Sequence, residues 1–254
     1  MQNNMFDLSG RVALIVGGAG GIGSACAWAM ADFGADIVMA DSNLPGAEKV
    51  AAEIAKLGVR SMALQVDITN YEEVEAMTRT VIQEFGHIDI LLNNAAVTVR
   101  KPLMETTLEE WNHVLNVNLT AAYILYKVVG QEFLKNKKGK VIQIVSTGGL
   151  RAGANFSAYG ASKAGLIHLV KTLALEWAPC QINVNAIAPT ATETNFTADY
   201  YAQYPEKKAQ TIANHPFKRL GNPKDYVGAA VYLASSASDF VNGEVLVVDS
   251  GKTV

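Results

Sequence analysis

Cysteine is scarce: Cys26 and Cys180, far apart in the chain, are all there is. Two distant thiols give no ground for a disulfide framework and suit a reducing cytoplasm, which is the expected location. Cys26, among alanines in a predicted helix, reads as a small buried hydrophobe. No apolar run approaches the roughly 20 residues that a membrane-spanning helix needs. Met1–Gly10 lacks a basic start followed by an apolar core, so no signal peptide is expected. The formal charge is only -3, which offers no basic field to nucleic acid. The short basic run Asn136-Lys137-Lys138-Gly139-Lys140 reads as a solvated turn before a strand. His87, His113, His168 and His215 show no metal-ligand spacing, so no metal is expected. The expected partner is therefore a small molecule, with neither nucleic acid nor membrane involved.

Apolar patterning, by contrast, is abundant. Hydrophobic residues make up 50% of 254, enough for one well-buried core. Short β-branched runs recur at Val12–Val16, Ile37–Ala40, Met62–Val66, Ile88–Leu92, Val141–Val145, Ile182–Ile187 and Val245–Val248. They are too short for helices and too uniformly apolar for strands with one wet face. Amphipathic stretches lie between them, near 22–33, 44–57, 72–85, 108–135, 158–178 and 223–236; Val74, Met77, Val81 and Phe85 show the helical spacing. The alternation predicts an α/β fold: a doubly wound, Rossmann-like parallel sheet of about seven strands with helices on both faces. No linker or composition break appears, so residues 1–254 are expected to form a single domain. The segment from Thr190 to Leu220 breaks the rhythm with Phe196, Tyr200, Tyr201, Tyr204 and Phe217, and reads as an irregular substrate lid near 190–220.

The first strand runs into Gly17-Gly18-Ala19-Gly20-Gly21-Ile22-Gly23, and a helix follows at once. Such a turn lets backbone approach a pyrophosphate, and the helix N-terminus offers free N–H groups and a positive dipole end. Asp41 ends the second strand at the spacing expected of a ribose-binding carboxylate, which would repel a 2′-phosphate; the expected cofactor is NAD. A turn or helix cap is the plainer reading of Asp41. Asp67, after the third strand, either meets the adenine or caps the next helix.

Tyr159-Gly160-Ala161-Ser162-Lys163 lies in a helix-forming run, so the phenol and ammonium share a face. An ordinary tyrosine is a poor base near neutrality, and a neighbouring cation favours its phenolate. Ser146 follows a buried strand, at the sheet edge where ligands bind in doubly wound folds. Asn118 falls within a long predicted helix, where its amide has either a structural task or a water to hold.

Taken together, these residues resemble the short-chain dehydrogenase/reductase family in its single-domain form, over essentially the whole chain. The resemblance implies catalytic roles for Asn118, Ser146, Tyr159 and Lys163. Tyr159 is the acid/base, Ser146 positions the substrate oxygen, Lys163 lowers the phenol pKa and binds the nicotinamide ribose, and Asn118 holds a water. It implies a cofactor surface of Gly17, Gly21, Ile22, Gly23, Asp41, Asp67, Ile68, Asn93, Ala95, Tyr159, Lys163, Pro189 and Thr194, with Ile187 also near the carboxamide. It also implies a homotetramer. Four positions depart from the family pattern: Val16 for Thr, and Ala96, Thr190 and Ser250 for Gly. Ala96 and Thr190 matter if their backbones need positive φ.

The phrases Phe6-Asp7-Leu8, Glu176-Trp177-Ala178 and Ile182–Pro189 resemble sugar-acid and polyol dehydrogenases such as gluconate dehydrogenases. A sugar, sugar acid or polyol is the expected substrate, bound in part by Ser146, Arg151 and Tyr159; a hydroxysteroid or other secondary alcohol is the alternative. Arg100, Lys101 and Arg151 either attract an anionic substrate group or are ordinary surface. Asn155, His215 and the lid tyrosines either bond substrate hydroxyls or pack. Trp28, Trp111 and Trp177 read as core or subunit-contact residues, and Glu109-Glu110 as dipole-matched helix starters rather than a catalytic pair. From a different class, a non-catalytic NAD sensor would keep the glycine turn and lose the tyrosine or lysine; this chain has both.

Overall fold

The computed structural model describes residues 4–254, so the first three residues of the Met1–Gly10 stretch lie outside the described residues. The chain alternates strand and helix: β1 (Val12–Val16), α1 (Gly21–Asp32), β2 (Asp36–Asp41), α2 (Leu44–Ala55), β3 (Ser61–Gln65), α3 (Tyr71–Phe85) and β4 (Ile90–Asn93). Next come α4 (Leu108–Leu115), α5 (Ala121–Asn136), β5 (Gly139–Ile144), α6 (Ser157–Trp177) and β6 (Ile182–Pro189). The last are α7 (Asn195–Gln203), α8 (Pro205–Asn214), α9 (Val227–Ala234) and β7 (Val245–Val248).

The seven strands form one parallel sheet in the order β3-β2-β1-β4-β5-β6-β7. Successive side chains alternate faces. Val12, Leu14 and Val16 join Met77 of α3, Leu125 of α5 and Leu166 of α6 in one core. Ala13 and Ile15 join Met30 of α1, Ile54 of α2 and Val231 of α9 in the other. Both faces of β1 are thus dry, which is why its sequence shows an unbroken apolar run. The sheet grows outward in both directions from the β1–β4 pair, so the loops leaving those strands diverge and open a crevice.

Local signals explain the helix ends. Asn70 caps α3 by accepting from the Glu72 and Glu73 N–H groups, and Gly86 closes it at φ 87°. Asp67 does not cap that helix; its carboxylate turns the chain locally by accepting from Thr69. Glu110 completes a capping box with Thr107 at the start of α4, which is its structural task. Trp177 is a core residue, seated so closely on Gly130 that a Cβ there would lie 2.6 Å from the indole.

Two expectations change. The helix expected over 108–135 is broken by a π-helical turn at Asn116–Thr120, where Ala121 N–H reaches back to Asn116. The irregular segment expected at 190–220 carries α7 and α8, started by a Thr194–Thr197 capping pair and by Pro205. Asn195, Phe196 and Thr197 of α7 and Asn214 of α8 line the crevice, and α8 buries no side chain, so no core-facing stripe marks the segment. Among the described residues, no helix is long and apolar enough to cross a membrane.

Candidate active site

The carboxyl ends of β1 to β6 surround a cleft of about 1240 Å³. That exceeds the roughly 300–1,000 Å³ of an ordinary single-ligand pocket and leaves room for two ligands side by side.

One end of the cleft is the glycine turn. Gly17 has φ 72°, and a Cβ on it would lie 2.7 Å from Ala95 N. Gly23 approaches the Gly17 carbonyl so closely that its own Cβ would sit 2.4 Å from that oxygen. Gly23 therefore packs the turn and does not line the cleft, whereas Gly17, Gly20, Gly21 and Ile22 do. No side chain caps α1 and no acid occupies its first turn, so the helix presents its opening N–H groups to the cleft. Asp41 accepts from Ala19 N–H at 2.9 Å and from Asn43 N–H at 2.9 Å, so it is a turn cap as well as a lining carboxylate. Asp67 and Ile68 complete this end. A glycine turn that admits no Cβ at Gly17 or Gly23, an open helix N-terminus and a carboxylate at the end of β2 fit a dinucleotide with free ribose hydroxyls.

Asn93 differs from expectation. Its side chain is turned into the sheet, donating to Gln143 Oε1 at 3.0 Å and accepting from Ala95 N–H. Gln143 is buried between strands and needs that partner, so the cleft wall is made instead by Asn94 and Ala95. Asn94 ties the two diverging loops by donating to the Gly17 carbonyl at 2.9 Å. It stands next to the conspicuous Asn93 in the sequence, and only its place at the β1–β4 divergence marks it out. Ile187 is likewise buried within the sheet, while Pro189 and Thr194 line the cleft.

The other end gathers the reactive groups. Ser146 Oγ accepts from Gly148 N–H at 3.0 Å, which leaves its own proton to donate. Tyr159 lies on α6 between Phe156 and Phe196, with ring centroids 5.7 and 6.1 Å away. Lys163, one turn on, is fully buried; its Nζ donates to the Ile144 carbonyl at 3.0 Å and stands 5.7 Å from the phenol ring centre. Burial pushes the Lys163 ammonium down to about 7. Burial pushes the Tyr159 phenol above its ordinary value, while the Ser146 hydroxyl and the Arg100 charge pull the other way. The expectation that Lys163 holds the phenol down is not what these groups alone produce. The ammonium has itself lost its water, and it is directed at a carbonyl rather than at the phenol oxygen.

Asn118 sits on the π-helical turn, a feature common at functional sites. Its amide is committed: Oδ1 accepts from Val97 N–H at 2.8 Å, and Nδ2 donates to Val97 O and to Ser162 Oγ, both at 3.0 Å. Ser162 passes the link to the Tyr159 carbonyl at 2.7 Å. Asn118 thus joins the loop after β4 to the Tyr159 turn, and Ser162 is a member of the site that sequence reasoning overlooked. Asn118→Ala would strand three partner groups, two on partly buried Val97 and one on buried Ser162, so unfolding by urea should show a loss of about 2–4 kcal/mol. A change under about 0.5 kcal/mol would contradict this tie.

Neither Ala96 nor Thr190 adopts positive φ, so two of the departures from glycine are unstrained; Ser250, at φ 59°, is the strained one. Thr190 instead gains a partner, a 3.2 Å hydrogen bond with buried His215. Lys101 is paired with Glu110 and exposed, and it does not reach the cleft. Arg151 lines the cleft with its guanidinium on the Lys252 carbonyl at 3.1 Å. Among the described residues, no three His, Cys, Asp or Glu side chains stand together as a metal site.

Known proteins resemble this chain in sequence and in fold. Residues 17–253 match a family model described as Enoyl-(Acyl carrier protein) reductase. The chain is 35% identical over 247 residues to a 2-dehydro-3-deoxy-D-gluconate 5-dehydrogenase of Escherichia coli, covering 97% of this chain and 96% of that one. It is 36% identical over 245 residues to a 3-oxoacyl-(acyl-carrier-protein) reductase of Vibrio harveyi, covering 96% and 98%. Among solved structures, a putative NAD(P)-dependent gluconate 5-dehydrogenase from Beutenbergia cavernae with bound NADP superposes with a TM-score of 0.93. It is 36% identical, with 98% of this chain and 99% of that one covered.

Proposed function

The chain belongs to the short-chain dehydrogenase/reductase family, and from that premise we propose that it is an NAD-dependent dehydrogenase interconverting a secondary carbinol and a ketone on a sugar acid. The observation that carries this reading is the meeting of Ser146, Tyr159 and Lys163 at one end of a cleft whose other end is a glycine cradle. The gluconate-type relatives support the sugar-acid class.

When bound, the nicotinamide supplies the two-electron acceptor for the carbinol carbon. Gly17, Gly21, Ile22, Asp41, Asp67, Ile68, Ala95, Lys163, Pro189 and Thr194 are the residues to hold the cofactor. In the oxidative direction Ser146, its oxygen occupied by Gly148 N–H, donates to the substrate oxygen and orients it. Tyr159, as phenolate, takes the hydroxyl proton. The Ser146 hydroxyl and the Arg100 charge oppose the burial that raises the phenol, while Lys163 stands 5.7 Å from its ring centre, ready to bind the nicotinamide ribose. Asn118 fixes the Tyr159 turn through Ser162. The proposal includes one domain over 1–254 with α7 and α8 as its lid, a homotetramer and a cytoplasmic location, these on family resemblance.

Asp41 decides the cofactor. Its carboxylate suits ribose hydroxyls and repels a 2′-phosphate, and Ser42 beside it brings no compensating charge. Asp41→Ala should lower the NAD-over-NADP ratio of kcat/KM by about 10- to 100-fold, a charge-assisted hydrogen bond's worth. An unchanged ratio in steady-state assays would remove the ribose argument. A second reading, reduction of a 3-oxoacyl thioester, is favoured by the Vibrio harveyi relative and is separated by offering both substrate types.

A further inference from the structure

Helix α8 has little of its own to hold it down. None of its side chains is buried. Its Lys208 pairs with Glu193, but both ends of that pair are exposed and such a pair is worth little. The residue that follows the helix is different. Of the four histidines only His215 is buried, at 1% exposure. Its Nε2 meets the Thr190 hydroxyl at 3.2 Å, and its carbonyl accepts from Lys218 N–H at 3.0 Å. His215 does not itself line the cleft, whereas Thr190 does.

Thr190 follows the last residue of β6, and Pro189, Thr190, Ala191 and Thr194 form that wall of the cleft. The next residues are fastened from the other side. Thr192 Oγ1 shares a 2.6 Å hydrogen bond with the Tyr226 hydroxyl, Glu193 N–H donates to Gly221 O, and Gly221 N–H donates to Ala191 O. Thr190 is reached from α8 through His215. Glycine, the residue of the family pattern at this position, has no hydroxyl to offer, so the link is a feature of this chain. Burial and the Lys252 and Arg219 charges hold the imidazole below its ordinary value, with Asp249 opposing them. The ring is therefore uncharged near neutrality and serves as a hydrogen-bonding group.

We propose that His215 is a positioning residue: by holding the Thr190 hydroxyl it locks the end of α8 to the wall at Pro189–Ala191, so that the lid and the nicotinamide side of the cleft keep one alignment. This rests on the dehydrogenase reading above, which makes that wall the nicotinamide side. His215 touches no reacting atom and acts through Thr190.

The test uses His215→Leu, Thr190→Val, the double variant and His215→Gln. Hydrogen exchange is read by mass spectrometry over residues 190–194 and 205–215 of the NAD-bound protein. Leucine removes the hydrogen bond. Valine keeps the shape of threonine and removes only its hydroxyl, so it carries the test should the leucine variant not fold. Glutamine brings an uncharged amide to the place of Nε2. Exchange over both segments should quicken about 5- to 20-fold in either single variant, a buried hydrogen bond's worth, and no further in the double variant. His215→Gln should stay within about threefold of the wild type. With a sugar acid as substrate, kcat should fall about 5- to 20-fold in His215→Leu and recover in His215→Gln. KM for NAD should move less than about twofold, because the glycine turn and Asp41 hold the other half of the dinucleotide. Wild-type exchange in both single variants overturns the latch, whatever substrate is turned over. Faster exchange with unchanged kcat overturns the positioning role. If the wild type turns over no sugar acid, that substrate reading fails by itself and exchange over 190–194 decides: faster in His215→Leu than in the wild type upholds the latch, and equal rates overturn it.

Discussion

Tyr159→Phe should lower kcat by about 10²- to 10⁴-fold, the range of a positioned proton donor or acceptor, while NAD affinity changes less than about twofold. Phenylalanine retains the ring that packs between Phe156 and Phe196, so the cleft wall keeps its shape. What disappears is a single O–H beside Ser146. No other group in this end of the cleft replaces it. Lys163 is fully buried and aimed at the Ile144 carbonyl, and the Ser146 hydroxyl has no base beyond Tyr159 itself. Single-turnover absorbance at 340 nm and calorimetric titration with NAD separate the two effects. Turnover within tenfold of the wild type would assign the proton transfer elsewhere.

The second large effect is at Lys163, where Met keeps the length and removes the charge. Turnover should fall about 10²- to 10³-fold, as when a preorganised electrostatic donor is deleted. Stability should move the other way near neutrality. Lys163 titrates at about 7 in the folded protein and near 10.5 when unfolded. Below 7 both states hold the proton, and the folded state bears the full cost of a buried ammonium. Between about 7 and 10.5 the unfolded chain binds more protons, so wild-type stability gains at most about 1.4 kcal/mol per pH unit from this group. Tyr159 is raised above its ordinary value by burial and is the same in both proteins, so it does not enter the comparison. The stability of Lys163→Met relative to wild type should therefore be most favourable at or below pH 7 and decline toward pH 10 in urea unfolding of the cofactor-free proteins. A pH-independent difference would mean that Lys163 is not held in the depressed state.

The central strands β1, β2, β4, β5 and β6 were legible because they are buried on both faces, leaving mostly apolar runs too short for a helix, while the edge strands β3 and β7 are only partly buried. β1 and β7 fall where the pattern puts them, and the others shift by a few residues at polar ends such as Asp36 and Gly139. The helix over 108–135 was only half legible. A π turn at Asn116–Thr120 alters hydrogen-bond register without altering apolar spacing, so periodicity runs straight through it. The lid was legible as a departure from rhythm but not as α7 and α8, because the tyrosines of α7 pack on one another and α8 buries no side chain, so neither shows the stripe of a core-facing helix. Within the site, residue type marked Ser146, Tyr159 and Lys163, while direction did not follow from sequence. Asn93 and Asn94 are chemically identical neighbours, and only the pleat decides that the first faces Gln143 and the second the glycine turn. Arg100 and Lys101 are equally adjacent cations. Glu110, brought close by its place in the α4 capping box, neutralises one and leaves the other to the aromatic rings.

The most direct test of the account is NADH formation at 340 nm with purified protein, NAD or NADP, and matched panels of sugar acids, polyols, hydroxysteroids and simple secondary alcohols, with a 3-oxoacyl thioester in the reductive direction. The account predicts NAD reduction by sugar acids, with polyols slower and NADP poorer. Tight NAD binding with no turnover across the panel would contradict it and make the chain a nicotinamide sensor. Turnover confined to steroids or thioesters would retain the chemistry at Tyr159 and contradict the substrate.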